Sequence, residues 1–599
     1  MSGINDFAFK IGTVNGTGSA SANGLLMQAI FRMGIPVTGK NIFPSNIQGL
    51  PTWYEIRVSK DGYTARPSEV DLVVALNPAT YAKDVVTVRP GGYLLYDSSW
   101  PLDPTLVREG ITILGVPFGK MCVETFKKDR ERTLLRNIVY VGTLAALLEI
   151  DLKVIEQMLI EKFSKKKSLL EANHRAISLG YDYAKAHFTC PLPFHLAPMD
   201  ATSESILIDG NTAAALGAVY AGATVGAWYP ITPATAMMEA FKAFCDKFRI
   251  DKHTGLHNYV ILQAEDELAA AGIVIGAGWA GARAFTNTSG PGISLMQEFI
   301  GLAYYTDIPS VFFDIQRCGP STGMPTRTQQ ADLLSLAYAS HGDTKHLVLF
   351  PADPGECFTM SVEAFDLAER FQTPVFVASD LDIGMNDWMV KRLDWDDSYR
   401  PDRGKVLDAA ALEKLPRFSR FLDVDGDGIA ARTLPGVGGK GAYFVRGSGH
   451  DKHAAYTEDS DAYQEVVDRL LRKFEHAASA MPKPAIYRRN GAEIGLVTIG
   501  GCDAAVREAA DQLESAGIPV DVMRIRGFPF GAEVQAFIDE HERTFVIEQN
   551  RDAQLRSLLT IELGVPRDDL TPILDYGGMP LTAKVVVDAV STAVAGVPA

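Results

Sequence analysis

The chain has 599 residues and a mass of 65.0 kDa, more than one hydrophobic core can organise, so roughly three or four domains are expected. Hydrophobic residues make up 47% and charged residues 22%, the balance of a folded globular protein rather than a disordered or fibrous one. The formal net charge of -16 argues against nucleic acid or an anionic membrane as the main partner. The first residues, MSGINDFAFKIG, hold no basic stretch followed by an apolar one, and no apolar run reaches the roughly 18 residues of a membrane span, so a cytoplasmic protein is expected. Cys122, Cys190, Cys245, Cys318, Cys357 and Cys502 are scattered without a CxxC pair. No disulfide framework, structural metal site or self-contained iron–sulfur cluster is expected, and cluster chemistry falls to another chain.

The opening FAFKIGTVNGTGSASANGLLMQAIFRMGIPV predicts a strand, a glycine-rich turn and a helix ending at Gly34 before Pro36. Apolar runs at 71–77, 91–99 and 111–118 then alternate with helical stretches such as LLRNIVYVGTLAALLEI. That rhythm predicts an α/β domain with a mainly parallel sheet over 1–190. A second αβ rhythm, from ILIDGNTAAALGAVYAGATVGAWYP through TPVFVASD, predicts another doubly wound domain over 204–385. Residues 386–480 are charged and irregular, a connector with loops and one late helix. The segment 481–599 gives a third αβ unit. The fold class is α/β, with three αβ domains and mainly parallel sheets.

Two motifs carry little. Gly16-Thr17-Gly18 follows a strand and opens a helix, where free N–H groups can hold phosphate. The third glycine of the dinucleotide fingerprint is Ser21, however, and no acidic residue follows at ribose-binding distance. A structural turn or another phosphate-bearing ligand such as coenzyme A fits better than NAD or FAD. Asp423-Val-Asp425-Gly-Asp427-Gly428 resembles the start of a calcium loop, but position twelve is Leu434 rather than a bidentate glutamate, so a solvated turn is expected.

Three stretches carry more. In WYPITPAT, Trp228–Thr235, proline on each side of Ile231-Thr232 fixes φ and removes a backbone donor, so the threonine hydroxyl is held at a defined point. In YVILQAEDELAAAGIVIGAGWAG a strand ends in Glu265, Asp266 and Glu267 before a small-residue helix. Carboxylates suit a helix N-terminus, and the C-terminal end of a parallel strand is also where α/β folds present their chemistry. In SVFFDIQRCGPSTGMPT, Arg317 follows an apolar strand, where its guanidinium fork suits a substrate carboxylate. The polar loop after it is of the kind that carries function.

With WYPITPAT, the small-residue helix after AEDE, TSGPG and QRCGPSTGMPT in this order, the chain closely resembles the 2-oxoacid:ferredoxin oxidoreductases, which use thiamine diphosphate. GTGSASANGLLMQAIFRMG with FPSNIQGLPTWYEIRVS is similar to the family's γ-type domain. VTIGGCDAAVREAADQLESAGIPV with VIEQNRDAQLR is similar to its transketolase C-terminal-like domain, and 204–385 takes the place of the pyrimidine-binding domain. The resemblance covers nearly the whole chain and is greatest to the α subunit, a γ–α fusion, of the 2-oxoglutarate enzymes.

The resemblance implies oxidative decarboxylation of a 2-oxoacid, with electrons passed singly to ferredoxin and the acyl group taken by coenzyme A. The product from 2-oxoglutarate is succinyl-CoA, and reductive carboxylation is the reverse. It implies a β subunit of about half this length, which carries Mg2+, the diphosphate segment and a [4Fe–4S] cluster, in an (αβ)2 assembly. Gly426-Asp427-Gly428 lies in the connector and not at the family's diphosphate position. Within this chain the resemblance places Glu267 on the cofactor's pyrimidine, because it alone is followed by four small or apolar residues and then Gly272; Glu265 is the alternative. Thr232 is placed on the oxoacid's carboxyl or carbonyl oxygens and Arg317 on its carboxylate, with Tyr229, Pro230 and Ile231 forming the cofactor-side corner. Arg327 and Arg283 are candidates for a second substrate carboxylate. Pyruvate or a branched-chain 2-oxoacid, or a non-catalytic assembly role, are the other readings.

Overall fold

The computed structural model describes residues 3–45 and 49–596, so three residues of the FPSNIQGLPTWYEIRVS segment lie outside it. The chain forms two compact units. Among the described residues no helix is long and apolar enough to cross a membrane.

The first unit runs to Ile208 and includes Asn386–Arg392 and Thr582–Lys584. Its six-stranded sheet has the order Val37–Ile42, Pro51–Ser59, Asp6–Val14, Val70–Ala75, Val88–Asp97, Thr112–Val116. The last four are mutually parallel, and Val70–Ala75 is buried throughout, as a parallel strand covered on both faces must be. Pro51–Ser59 instead runs antiparallel to both of its neighbours. The chain between Ile42 and Pro51 is too short for a parallel crossover, so this edge is antiparallel within a mainly parallel sheet. Glu55 on that strand is buried between Arg66, at 2.7 Å, and Lys10, at 3.5 Å. Such an internal charge pair breaks the apolar pattern by which a strand is read from sequence. Helices Asp129–Leu148 and Lys167–His187 cross where Gly142 lies on the Ile177 carbonyl and Gly180 on the Val139 carbonyl, so neither position has room for a β-carbon.

The segments Ser205–Ile208 and Trp388–Lys391 form a two-stranded antiparallel sheet of this same unit. They come from what the sequence divides between the second αβ rhythm and the connector.

The second unit has a seven-stranded sheet in the order Val260–Gln263, Val225–Trp228, Ala284–Thr288, Ser310–Gln316, Pro374–Asp380, Leu347–Leu349, Gly527–Phe528. All but the last are parallel. A five-stranded sheet follows, in the order Ala485–Tyr487, Val520–Ile525, Ile494–Ile499, Arg543–Glu548, Leu570–Leu574, with only its first strand antiparallel. Between them run a short helix, Ala409–Glu413, and a long one, Ser460–Ala477. In the small-residue helix Glu267–Trp279, Gly272 is pressed by the Phe299 ring and Gly278 by the Pro309 carbonyl, whereas a β-carbon at Gly276 would meet nothing. Close packing therefore accounts for two of its glycines and not for the third.

Candidate functional site

Four adjacent parallel strands of the second unit end on the same side of the sheet, and each hands the chain to a segment singled out by sequence. Gln263 leads to the three acids, Trp228 to the proline corner, Thr288 to TSGPG and Gln316 to Arg317. Parallel pairing places all four C-terminal ends together, the position at which open α/β sheets bind ligands.

The proline corner is held carbonyl by carbonyl. Thr235 donates from its backbone N–H and its hydroxyl to the Ile231 carbonyl. Arg317 Nη1 donates to the Thr232 carbonyl at 2.6 Å, Asn211 Nδ2 to that of Pro233 at 2.9 Å and Asn287 Nδ2 to that of Ala234 at 2.6 Å. The backbone is thus fixed by side chains from three other segments, and the Thr232 hydroxyl makes no hydrogen bond among the described residues. Tyr229 and Pro230 are exposed and Ile231 and Thr232 half-buried. The Ile231 N–H is taken by the Thr235 hydroxyl at 3.2 Å.

The three acids separate by environment. Glu265 is exposed. Asp266 is the N-cap of the small-residue helix, its Oδ1 accepting from the Ala269 N–H at 2.7 Å, which is the ordinary task of an aspartate there. Glu267 is the first residue of the helix and is buried, 7% exposed, with no hydrogen bond or ion pair among the described residues. Its side chain passes over Gly292, where a β-carbon would lie 3.0 Å from Glu267 Cγ and run into the Thr288 hydroxyl. Its carboxylate oxygens are not among the enclosed unpartnered atoms, so they open to the space at the strand ends, where a ligand can supply the hydrogen bond.

Arg317 faces this carboxylate. Burial pulls its guanidinium below the ordinary value, and the charges of Asp332 and Glu267 oppose that loss. With Nη1 committed to Thr232 and Nε unpartnered, part of the fork is used on the protein itself. Behind it lie Asp314, buried inside the strand Ser310–Gln316, and the half-buried Asp332. Burial first, and then the Asp332 charge, push Asp314 well above the carboxylate range. Burial pushes Asp332 up to about 6, while a hydrogen bond from Asp314 and the Arg317 charge restrain it. Both Asp314 oxygens are enclosed without an N–H partner, a setting that favours the neutral acid at Asp314 and leaves the negative charge to Asp332, opposite Arg317. Sequence reasoning passed over Asn211, Asn287 and this pair. The available signal was an aspartate inside the apolar strand SVFFDIQ, and an asparagine inside AFTNT.

Arg327 lies in the loop after Arg317 and donates to the Thr326 carbonyl at 2.7 Å, with burial lowering its pKa. Arg283 is not available to a substrate. It is 3% exposed and binds Glu369 Oε2 and Asp366 Oδ1 at 2.7 and 2.6 Å, with further bonds to the Ala221 and Asp402 carbonyls and the Tyr399 hydroxyl. Its placement as a distal-carboxylate candidate is corrected: a fully satisfied buried guanidinium has no donor to offer.

In the first unit, Gly16 and Gly18 both take φ +85, and the turn is closed by the Thr17 hydroxyl on the Val14 carbonyl and by Asn137 Nδ2 on the Thr17 carbonyl, each at 2.7 Å. Asp423, Asp425 and Asp427 gather their carboxylates as a cation site would, but the Lys405 ammonium sits on Asp425 and Asp427 at 2.6 and 2.8 Å and on the Ile429 carbonyl at 2.9 Å. An internal cation fills that loop.

Residues 216–399 match the family described as pyruvate flavodoxin/ferredoxin oxidoreductase, thiamine diP-bdg, and residues 8–183 that described as pyruvate ferredoxin/flavodoxin oxidoreductase. Subunit alpha of 2-oxoacid:ferredoxin oxidoreductase 2 from Aeropyrum pernix is 30% identical, over 98% of this chain and 97% of that one. The 2-oxoglutarate synthase subunit KorA of Methanothermobacter thermautotrophicus is 31% identical, over 62% of this chain and 94% of that one. Among solved structures, the 2-oxoglutarate:ferredoxin oxidoreductase from Magnetococcus marinus, with 2-oxoglutarate, coenzyme A and succinyl-CoA bound, is similar with a TM-score of 0.89 at 27% identity, covering 98% of this chain and 99% of that one.

Proposed function

The chain belongs to the 2-oxoacid:ferredoxin oxidoreductases as an alpha-type subunit, and from that premise we propose that it serves a 2-oxoglutarate enzyme making succinyl-CoA and CO2 with electrons passed to ferredoxin. The observation that carries the reading is the buried, unpartnered Glu267 beside Arg317 and the free Thr232 hydroxyl, gathered at the ends of adjacent parallel strands. The 2-oxoglutarate preference is supported by the relatives named for that substrate. The described residues fit the aminopyrimidine end of thiamine diphosphate: Glu267 needs a hydrogen-bonding partner, and Gly292 leaves its side chain room. When bound, the cofactor supplies the carbon nucleophile that stabilises charge during decarboxylation.

This chain's residues do the rest of what falls to it. Glu267 would hold the pyrimidine N1′ by a hydrogen bond and could move a proton at that atom. Thr232 donates its hydroxyl to an oxygen of the oxoacid. Arg317 binds the acid's carboxylate with the part of its fork not spent on Thr232, and Tyr229, Pro230 and Ile231 form the wall beside the cofactor. Arg327 is assigned to the distal carboxylate. Residues 1–190 act as the γ-type domain, 204–385 as the pyrimidine-binding domain, 386–480 as the connector and 481–599 as the transketolase C-terminal-like domain. A β subunit of about half this length holds Mg2+, the diphosphate and a [4Fe–4S] cluster in an (αβ)2 assembly located in the cytoplasm.

The test is dye or ferredoxin reduction by the chain co-expressed with its genomic neighbour, supplied with thiamine diphosphate, Mg2+ and coenzyme A. Reduction with 2-oxoglutarate above that with pyruvate or 2-oxoisovalerate is expected. Activity confined to another oxoacid keeps the mechanism and removes the substrate assignment. No reduction with any of the three favours the assembly role.

A further inference from the structure

A cavity of about 350 Å3 opens in the irregular part of the second unit, within residues 412–454. Among the described residues its wall presents Arg417, Arg420, Lys440 and His453 and no carboxylate. On a chain with a net charge of -16, a concavity lined by one sign of charge concentrates anions.

The charge behind the wall is also unbalanced. Arg420 is 2% exposed. It donates from Nη2 to the Asp307 carbonyl at 2.7 Å and holds Nη1 3.9 Å from Asp307 Oδ2, and its Nε has no partner. The same buried Asp307 carboxylate faces Arg469 at 2.9 Å and the Lys473 ammonium. One carboxylate thus answers three buried cations, and the remainder of their charge rests on the Gly428 and Gln372 carbonyls. Burial, resisted by Asp307, draws Lys473 down to about 8. An anion in the cavity would settle against Arg420 and offset that excess. In front, Lys440 is tied only to Glu413, at 2.7 Å with both side chains more than half exposed, a pair weak enough for an anion to displace. The Asp451 carboxylate, which accepts from the His453 and Ala455 N–H groups, is the acid in electrostatic reach of Arg417.

Aromatic rings complete the wall. Tyr443 and Phe418 stand 6.0 Å apart at 59°, the Arg420 guanidinium lies 5.7 Å from the Tyr443 ring, and Phe444 is 67% exposed. Guanidinium and ammonium groups bind phosphate, exposed rings bind a flat heterocycle, and the volume falls within the small-ligand range. We propose that this cavity is a nucleotide site, with the phosphate held by Arg417, Lys440 and His453 before the Arg420 back wall and the base against Tyr443 and Phe444. No residue assigned to the oxoacid or to thiamine diphosphate lies in it.

The experiment is calorimetric titration of the assembled enzyme with AMP, ADP, ATP and inorganic phosphate, with coenzyme A saturating so that its own site is filled. Saturable binding of at least one nucleotide is expected, weakened at least tenfold in the double variant Arg417→Ala, Lys440→Ala and weakened in Phe444→Ala. All three side chains are exposed or line the opening, and dye reduction without nucleotide should be unchanged, which shows that the variants fold. No saturable heat with any nucleotide, an affinity unchanged in the double variant, or phosphate binding as tightly as the nucleotides would each overturn the proposal.

Discussion

Arg317, at the end of the strand Ser310–Gln316, reaches past the intervening strand Ala284–Thr288 and donates from Nη1 to the Thr232 carbonyl at 2.6 Å. The residue offered to the substrate carboxylate therefore also positions the residue offered to the substrate oxygens. Arg317→Lys should lower kcat/KM for the oxoacid by about 10- to 100-fold, because one ammonium cannot both hold the carbonyl and bind the acid. Thr232→Val, which leaves the carbonyl in place, should raise KM more than it lowers kcat if the hydroxyl binds the ground state. Steady-state dye reduction separates the two effects.

Glu267→Gln should reduce turnover by about 100-fold or more, since an amide cannot exchange the proton. Glu265→Gln should leave it within about twofold, because that side chain is exposed. Gly292→Ala, which introduces a methyl group against Thr288 and Glu267, should impair turnover while the expressed complex stays assembled, as gel filtration reports.

The Asp314–Asp332 pair gives a pH signature. The folded-state pKa of Asp332, about 6, exceeds the ordinary aspartate value of about 3.9. A group raised in this way stabilises the fold fully below its unfolded value, and the contribution is lost as pH rises through about 6. Asp314→Asn removes the carboxyl that is raised furthest, and with it the stability lost as pH rises, while the amide still donates to Asp332. The fall in Tm between about pH 4 and about pH 7 should become shallower than in the parent chain, as calorimetry reads it. An unchanged slope would mean that Asp314 is not held as the neutral acid.

Arg283 should matter for stability and not for substrate. Arg283→Leu leaves Asp366 without its guanidinium and Glu369 with only Arg403 and Arg432, so a loss of about 3 kcal/mol or more is expected, read as a lower denaturant midpoint. KM for 2-oxoglutarate should not move.

Much of the architecture was legible without coordinates. The alternation of apolar runs and helical stretches marks parallel αβ units because the backbone reads a local period. WYPITPAT and AEDE stand out because proline and carboxylates at strand ends carry a local meaning. The pattern was obscured at the edge hairpin, where the buried Glu55 is paired with Lys10 of the neighbouring strand and with Arg66.

Sequence by itself determined that an acid, a threonine and an arginine would come at the ends of strands. Only the tertiary structure decided which acid is buried, Glu267, and which merely caps a helix, Asp266. It also divided the Arg317 fork between the protein and open space, gave Arg283 to Glu369, and set Lys405 on two of the three aspartates that resembled a calcium loop. The reason is physical: secondary structure follows from the spacing of neighbours along the chain, whereas the state of a charge depends on the burial and partners that packing brings from far along it.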